Sequence, residues 1–193
     1  SVDAAWAKVV PGAVSEQGFI LQVGPISSTL QLNPLIGQRV KKSGKNTGLT
    51  RSYILGLNGV LNVSYAESVS TQFKNLIIVD NGISESTFSK EGDGGSLVLE
   101  DIDVYPRPIG LLVASTPTKV EADFCISVLN PIADVLEAIR IKSGAKSVTL
   151  VGSPNISQND NAAITTSRDE GASGSRKYFI ETSSANHLMG MTL

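Results

Sequence analysis

The chain holds one cysteine and one histidine in 193 residues. With Cys125 alone, no internal disulfide can form, so the fold does not depend on an oxidising compartment. That leans toward an intracellular setting without fixing the location. Within Asp123–Val128 the cysteine reads as a buried strand residue, since no basic partner lies nearby to make it a nucleophile. A metal centre needs several clustered ligands, so neither a metal nor any other cofactor is expected. No run approaches the roughly 18 apolar residues of a membrane span. No signal peptide opens the chain, and no membrane partner is expected. Sixteen basic against eighteen acidic residues leave a net charge of −2 and a pI near 5.4. Such a balance offers no field to draw nucleic acid. Lys41, Lys42 and Lys45 read as a solvated hairpin tip.

What is present fits a folded domain. Hydrophobic residues at 41% and charged residues at 18% suit an ordinary core. Eighteen glycines and eight prolines among many Val, Ile, Thr and Ser residues favour short strands joined by turns. The length allows one domain or two small lobes. After Lys8–Val10, residues 18–26 and 30–35 read as a crossing segment. Strands are expected at 39–42, 50–57, 60–66, 73–79, 96–102, 108–114 and 119–128, with Asn58-Gly59 as a hairpin signal. This spacing predicts an all-β, closed antiparallel barrel. A helix follows, with Asn130 as N-cap, Pro131 at its first position, and Ile132, Val135, Leu136 and Ile139 on one face. Beyond it, 147–151 and 177–182 read as strands around a polar stretch poor in residues to bury.

The most informative motif is Gly92-Asp93-Gly94-Gly95-Ser96, followed by Leu97-Val98-Leu99 and Pro108-Ile109-Gly110-Leu111-Leu112-Val113. Alone, it is equally a glycine-rich turn capped by an aspartate. Three further segments occur with it: Val2-Asp3-Ala4-Ala5-Trp6-Ala7, Val40-Lys41-Lys42-Ser43-Gly44-Lys45-Asn46-Thr47-Gly48-Leu49-Thr50, and Asn130-Pro131-Ile132 with Val135-Leu136. Together, in this order, they resemble the bacterial trypsin-like serine peptidases over residues 2 to about 142. The resemblance implies the chymotrypsin-type barrel with a C-terminal helix, peptide or protein as substrate, and peptide-bond hydrolysis by a Ser-His-Asp triad. It assigns Asp3 as triad acid and puts Gly94 where the nucleophilic serine belongs. The N–H groups of Gly92 and Gly94 would form the oxyanion hole, with Asp93 bracing the loop from inside. Without a hydroxyl at position 94 nothing can attack a carbonyl, so the implied enzyme is inactive as written. The alternative is a pseudoprotease that binds peptides or assembles other subunits.

Two departures from the family pattern matter. Its histidine precedes the aspartate in a first barrel, which here is absent or incomplete. A separate first-barrel chain or a homo-oligomer is therefore a possible partner. The single histidine, His187, follows Tyr178-Phe179-Ile180-Glu181, and this stretch is similar to the family's histidine-bearing strand. Either the chain is permuted, or His187 is a solvated tail residue. The organisation expected is 1–35, an aspartate-bearing segment and crossing; 36–142, barrel and helix; and 143–193, a polar extension with two strands that is either a loop or linker or a substitute for part of the first barrel. For substrate binding, the resemblance assigns Phe88 and Ser89 to the base of the specificity pocket and Val113, Ala114 and Ser115 to its wall. Phe88 implies an apolar or small preference, unless it packs in the barrel core.

Overall fold

The computed structural model describes residues 2–15, 18–66, 69–82, 87–116, 125–153 and 178–181. Six strands close a barrel: β4 (Arg39–Gly44), β5 (Gly48–Ala66), β6 (Val69–Asp80), β7 (Leu97–Glu100), β8 (Pro108–Ser115) and β9 (Ile126–Pro131). Their order is β4-β5-β6-β9-β8-β7, and every ladder is antiparallel. The pairs Val40↔Glu100 and Lys41↔Leu99 join β4 to β7 and close the ring. Closure leaves no unpaired edge around the barrel, which is how antiparallel folds avoid strand-to-strand association. Strand alternation places Val40, Ile54, Ile77, Val79, Val98, Ile109, Leu112 and Leu129 in one buried interior cluster, and Phe88 joins them from the loop before β7.

A twelve-residue helix, α1 (Ile132–Ser143), follows β9 directly. Ile132, Val135, Leu136 and Ile139 recur at the spacing of one helical face and pack around Leu111. Val2, Ala4, Leu30, Leu97, Val148 and Leu150 complete this second cluster, so the helix staples both the start of the chain and residues 148–150 to the barrel. Each of the buried Leu, Ile and Val side chains of this cluster contributes on the order of 1.5–3 kcal/mol.

Among the described residues, four small strands lie before the barrel or after it. β1 (Ala5–Lys8) pairs antiparallel with β10 (Tyr178–Glu181), and β2 (Phe19–Ile20) pairs with β3 (Gly24–Pro25). The β1 register matches Ala5 with Glu181 and Lys8 with Tyr178.

Several expectations need correction. Asn58-Gly59 is not a hairpin turn, because β5 runs unbroken through it. The pair sits between register shifts flanking Gly59, with Asn58 at φ 57°. The left-handed conformation that Asn adopts cheaply is used for a bulge that bends the strand, not for a reversal. Asn130 is not the helix cap. Pro131 occupies that position, and no side chain caps the helix. Residues 147–151 form no strand; Ser153 bridges to Ser27, and the segment is held by loop hydrogen bonds and by Val148 and Leu150. Lys41 and Lys42 are buried, leaving only Lys45 of the three exposed. Consecutive strand residues face opposite sides, and here both sides are covered. The strand expected at 119–128 begins at Ile126; residues 117–124 lie outside the described residues.

Candidate functional site

The loop joining Phe88 to β7 is organised around one side chain. Asp93 is buried, and its carboxylate accepts from five donors. Oδ1 takes the N–H of Asn46 at 2.7 Å and of Thr47 at 3.2 Å. Oδ2 takes the Thr47 hydroxyl at 2.6 Å, the Lys90 N–H at 3.1 Å and the Lys42 ammonium at 3.5 Å. Lys42 has no exposed side-chain surface; it also donates to Thr47 Oγ1 at 2.6 Å and lies 5.4 Å from the centre of the Phe88 ring. Burial alone would push the Asp93 carboxyl up. The bonds from Thr47, Asn46 and Lys90, with the Lys42 charge, outweigh it and hold the group below the usual carboxylate range. Burial pulls Lys42 below the ordinary lysine value, and Asp93 opposes that pull in part.

This cluster fastens the β4–β5 turn to the loop. Asn46 Nδ2 adds a bond to the Glu91 carbonyl at 2.6 Å. The contact is close enough to demand glycines on both sides. A Cβ on Gly44 would stand 2.5 Å from Asp93 Oδ1, and one on Gly92 would run into Asn46 Nδ2. Gly92 also takes φ 92°, a backbone angle that costs other residues energy.

On its other side the loop is held by the barrel wall. Asp93 N–H donates to the Lys90 carbonyl, Ser96 N–H to the Asp93 carbonyl, and Gly95 N–H to the Leu112 carbonyl at 2.8 Å. Leu112 N–H returns to Ser96, and Ser96 Oγ bonds to the Asp93 carbonyl at 2.6 Å. Ser96 is thus turned back into its own loop. Among the described residues, no acceptor takes the N–H of Gly92 or Gly94. Gly94, the position the resemblance gives to the nucleophile, is half-buried at the rim.

Phe88 lies in the barrel core at 3% exposure. Ser89 next to it joins a buried polar cluster. Its Oγ is 2.7 Å from Ser127 Oγ, and Asn81 Oδ1 accepts from the Ser89 N–H at 2.7 Å and from Ser127 Oγ at 2.9 Å. Ser127 is the cross-strand partner of Ser115, so this cluster runs from the loop to the β8 wall. In that wall Val113 is buried, while Ala114 and Ser115 are half-buried. Ser127 and Asn81 were not picked out from the sequence, because isolated polar residues within apolar strands carry no local signal.

Asp3 is tied to the barrel at the end of β9. Its carbonyl accepts from Asn130 Nδ2 at 3.2 Å. Asn130 pairs with Leu111, and Leu111 with Leu97, three residues beyond Gly94. Burial raises the Asp3 carboxyl above the usual carboxylate range. His187 lies outside the described residues. Among those residues no group of three or more His, Cys, Asp or Glu could hold a metal. No described helix is long and apolar enough to cross a membrane.

A six-stranded antiparallel barrel with a C-terminal helix and an aspartate-braced loop at its rim is the trypsin-like barrel. A solved glutamic acid specific serine protease, described as using a novel histidine triad in substrate binding, shares this fold with a TM-score of 0.50. It is 17% identical, with 72% of each chain covered. Chymotrypsin of Cellulomonas bogoriensis is 18% identical with a TM-score of 0.43, over 61% of this chain and 53% of its own. Residues 5–128 match the family described as the Nal1 C-terminal domain, and the chain belongs to it. The protein NARROW LEAF 1 of Oryza sativa subsp. japonica is 32% identical over 108 residues. That match takes in 53% of this chain and only 17% of the rice protein.

Proposed function

We propose that this chain is a trypsin-like peptidase barrel in an inactive form, which holds an extended polypeptide at the 92–95 rim and does not cut it. The observation that carries the reading is the 92–95 loop itself. Asp93 with its five donors, the close-packed Gly92 and the N–H groups of Gly92 and Gly94, which no acceptor takes among the described residues, make a turn suited to receiving a carbonyl oxygen. Gly94 keeps the N–H and lacks the attacking oxygen. Ser96 is no substitute, since its hydroxyl is bonded back to Asp93. Val113, Ala114 and Ser115 would flank the bound chain.

A second part of the reading concerns Asp3 and His187. β10 ends at Glu181, paired with Ala5 two residues after Asp3. His187 follows six positions later in sequence, as the histidine would if its segment had moved behind the nucleophile loop. Triads recur with their members in different chain orders, so the order is no obstacle.

Photo-crosslinking with a library of extended peptides tests the binding claim. Crosslinks are expected at 92–95 and 113–115, with all peptides recovered intact. Peptide cleavage by the unaltered chain, or crosslinks confined to other faces, would overturn the proposal.

A further inference from the structure

We propose that the end of the barrel away from the 92–95 loop is a self-association face, on which a second copy of this chain docks. β4 runs from Arg39 at this end to Gly44 beside Asp93, and β7 runs from Leu97, just after the loop, back to Glu100. Glu100 pins residues 31–38 against the turn that leads to β8. Its Oε1 accepts from Gln31 Nε2 and Gln38 Nε2, each at 3.3 Å, and Arg107 grips both of its oxygens at 2.7 Å. The Gly37 N–H donates to the Ile54 carbonyl and the Asp101 N–H to the Arg39 carbonyl, so the 35–38 turn, the middle of β5 and the start of the 101–107 turn adjoin. The large side chains left exposed on this frame are apolar: Leu32, Leu35, Ile36, Tyr53, Ile102 and Val104 are 45–70% exposed.

Exposed leucines scattered over a surface need no explanation, but a cluster at one end of a barrel does. These six side chains present on the order of 600 Å² of apolar surface, as much as the largest patch of an ordinary monomer and close to the ~800 Å² each partner gives to a standard interface. The charges beside them select the partner. Arg39 and Arg51 both bind Asp101, Arg107 binds Glu100, and Asp103 is exposed between them. A face of one sign would repel its own copy. A face whose arginines are matched by its own acids meets itself across a two-fold axis without that penalty. The hydrogen bonds to Glu100 hold the face in shape beforehand, so little ordering is needed on docking. Association here leaves the 92–95 loop of each copy clear, and it does not depend on what that loop holds.

Sedimentation equilibrium up to about 100 μM tests the proposal, because an interface of standard size binds with micromolar or tighter Kd. The unaltered chain should be dimeric at the upper end of that range. Ile36→Arg and Val104→Asp, on separate segments of the face, should each be monomeric with an unchanged circular dichroism spectrum, since both side chains are exposed. Leu21→Arg is the control. It alters an equally exposed residue beside the β4–β5 turn, where Gln22 accepts from the Leu49 N–H, and should leave the dimer intact. A monomer throughout, a dimer that survives both face variants, or one lost equally in Leu21→Arg would overturn the proposal. Should the face variants fail to fold, amide exchange of the unaltered chain decides instead. Exchange at residues 35–37 and 102–105 should slow as concentration rises; rates independent of concentration would overturn the assignment.

Discussion

At the scale of single residues, the Lys42–Asp93 pair decides how the rim loop is held. Both side chains are fully buried, so neither charge is relieved by water. Asp93→Asn removes the charge that compensates Lys42, and breaking a buried pair this way costs roughly 3–5 kcal/mol. Lys42→Met should cost less, because Asp93 keeps its bonds from Asn46, Thr47 and Lys90. Urea unfolding of the two variants checks the order; equal losses would mean that the charge pair is not what braces the loop. The pH dependence follows from the same groups. Asp93 is held below its unfolded value, so its contribution is fully present above about pH 4 and is lost as pH falls through the lower folded value. The unfolding free energy should therefore drop on acidification. That drop should be smaller in Asp93→Asn. Phe88 carries a lesson in reading: the resemblance offered it as pocket base, the core was the alternative, and the side chain packs in the core beneath Lys42.

At the scale of elements, the helix was legible because its signals are local. Apolar spacing at Ile132, Val135, Leu136 and Ile139, Arg140 and Lys142 near its end, and Gly144 beyond all lie within one short window. Gly144 takes φ 67° and its N–H donates to the Ile141 carbonyl. Gly144→Ala meets no neighbour but is forced into a left-handed conformation, costing about 1 kcal/mol. That corresponds to a melting temperature lower by roughly 2–4 °C in a chain of this size; an unchanged value would refute the C-cap assignment. What the sequence hid were choices between local and distant partners. Asn58 has the conformational freedom for a turn, yet cross-strand pairing with β6 carries β5 past it. Asn130 stands where a cap belongs, yet its amide serves a residue near the other end of the chain. Lys41 and Lys42 read as surface charges, because the Ile102 carbonyl and Asp93 lie 61 and 51 positions away in sequence.

At the scale of the whole molecule, turn residues and strand spacing pointed to the closed barrel, and the family resemblance supplied its type. The tie between Asp3 and the barrel was less legible. It is carried by the Asn130–Leu111–Leu97 sequence of cross-strand neighbours, none of which advertises the contact. Under the proposed function, the rim is complete except for one oxygen. The direct measurement is labelling by a fluorophosphonate probe of the unaltered chain, of Gly94→Ser, and of Gly94→Ser combined with His187→Ala. A serine hydroxyl is a weak nucleophile without an adjacent base. No labelling of the unaltered chain, labelling at position 94 in the single variant, and its loss in the double variant are expected. Labelling of the unaltered chain at any serine, or a correctly folded Gly94→Ser that remains unlabelled, would contradict it.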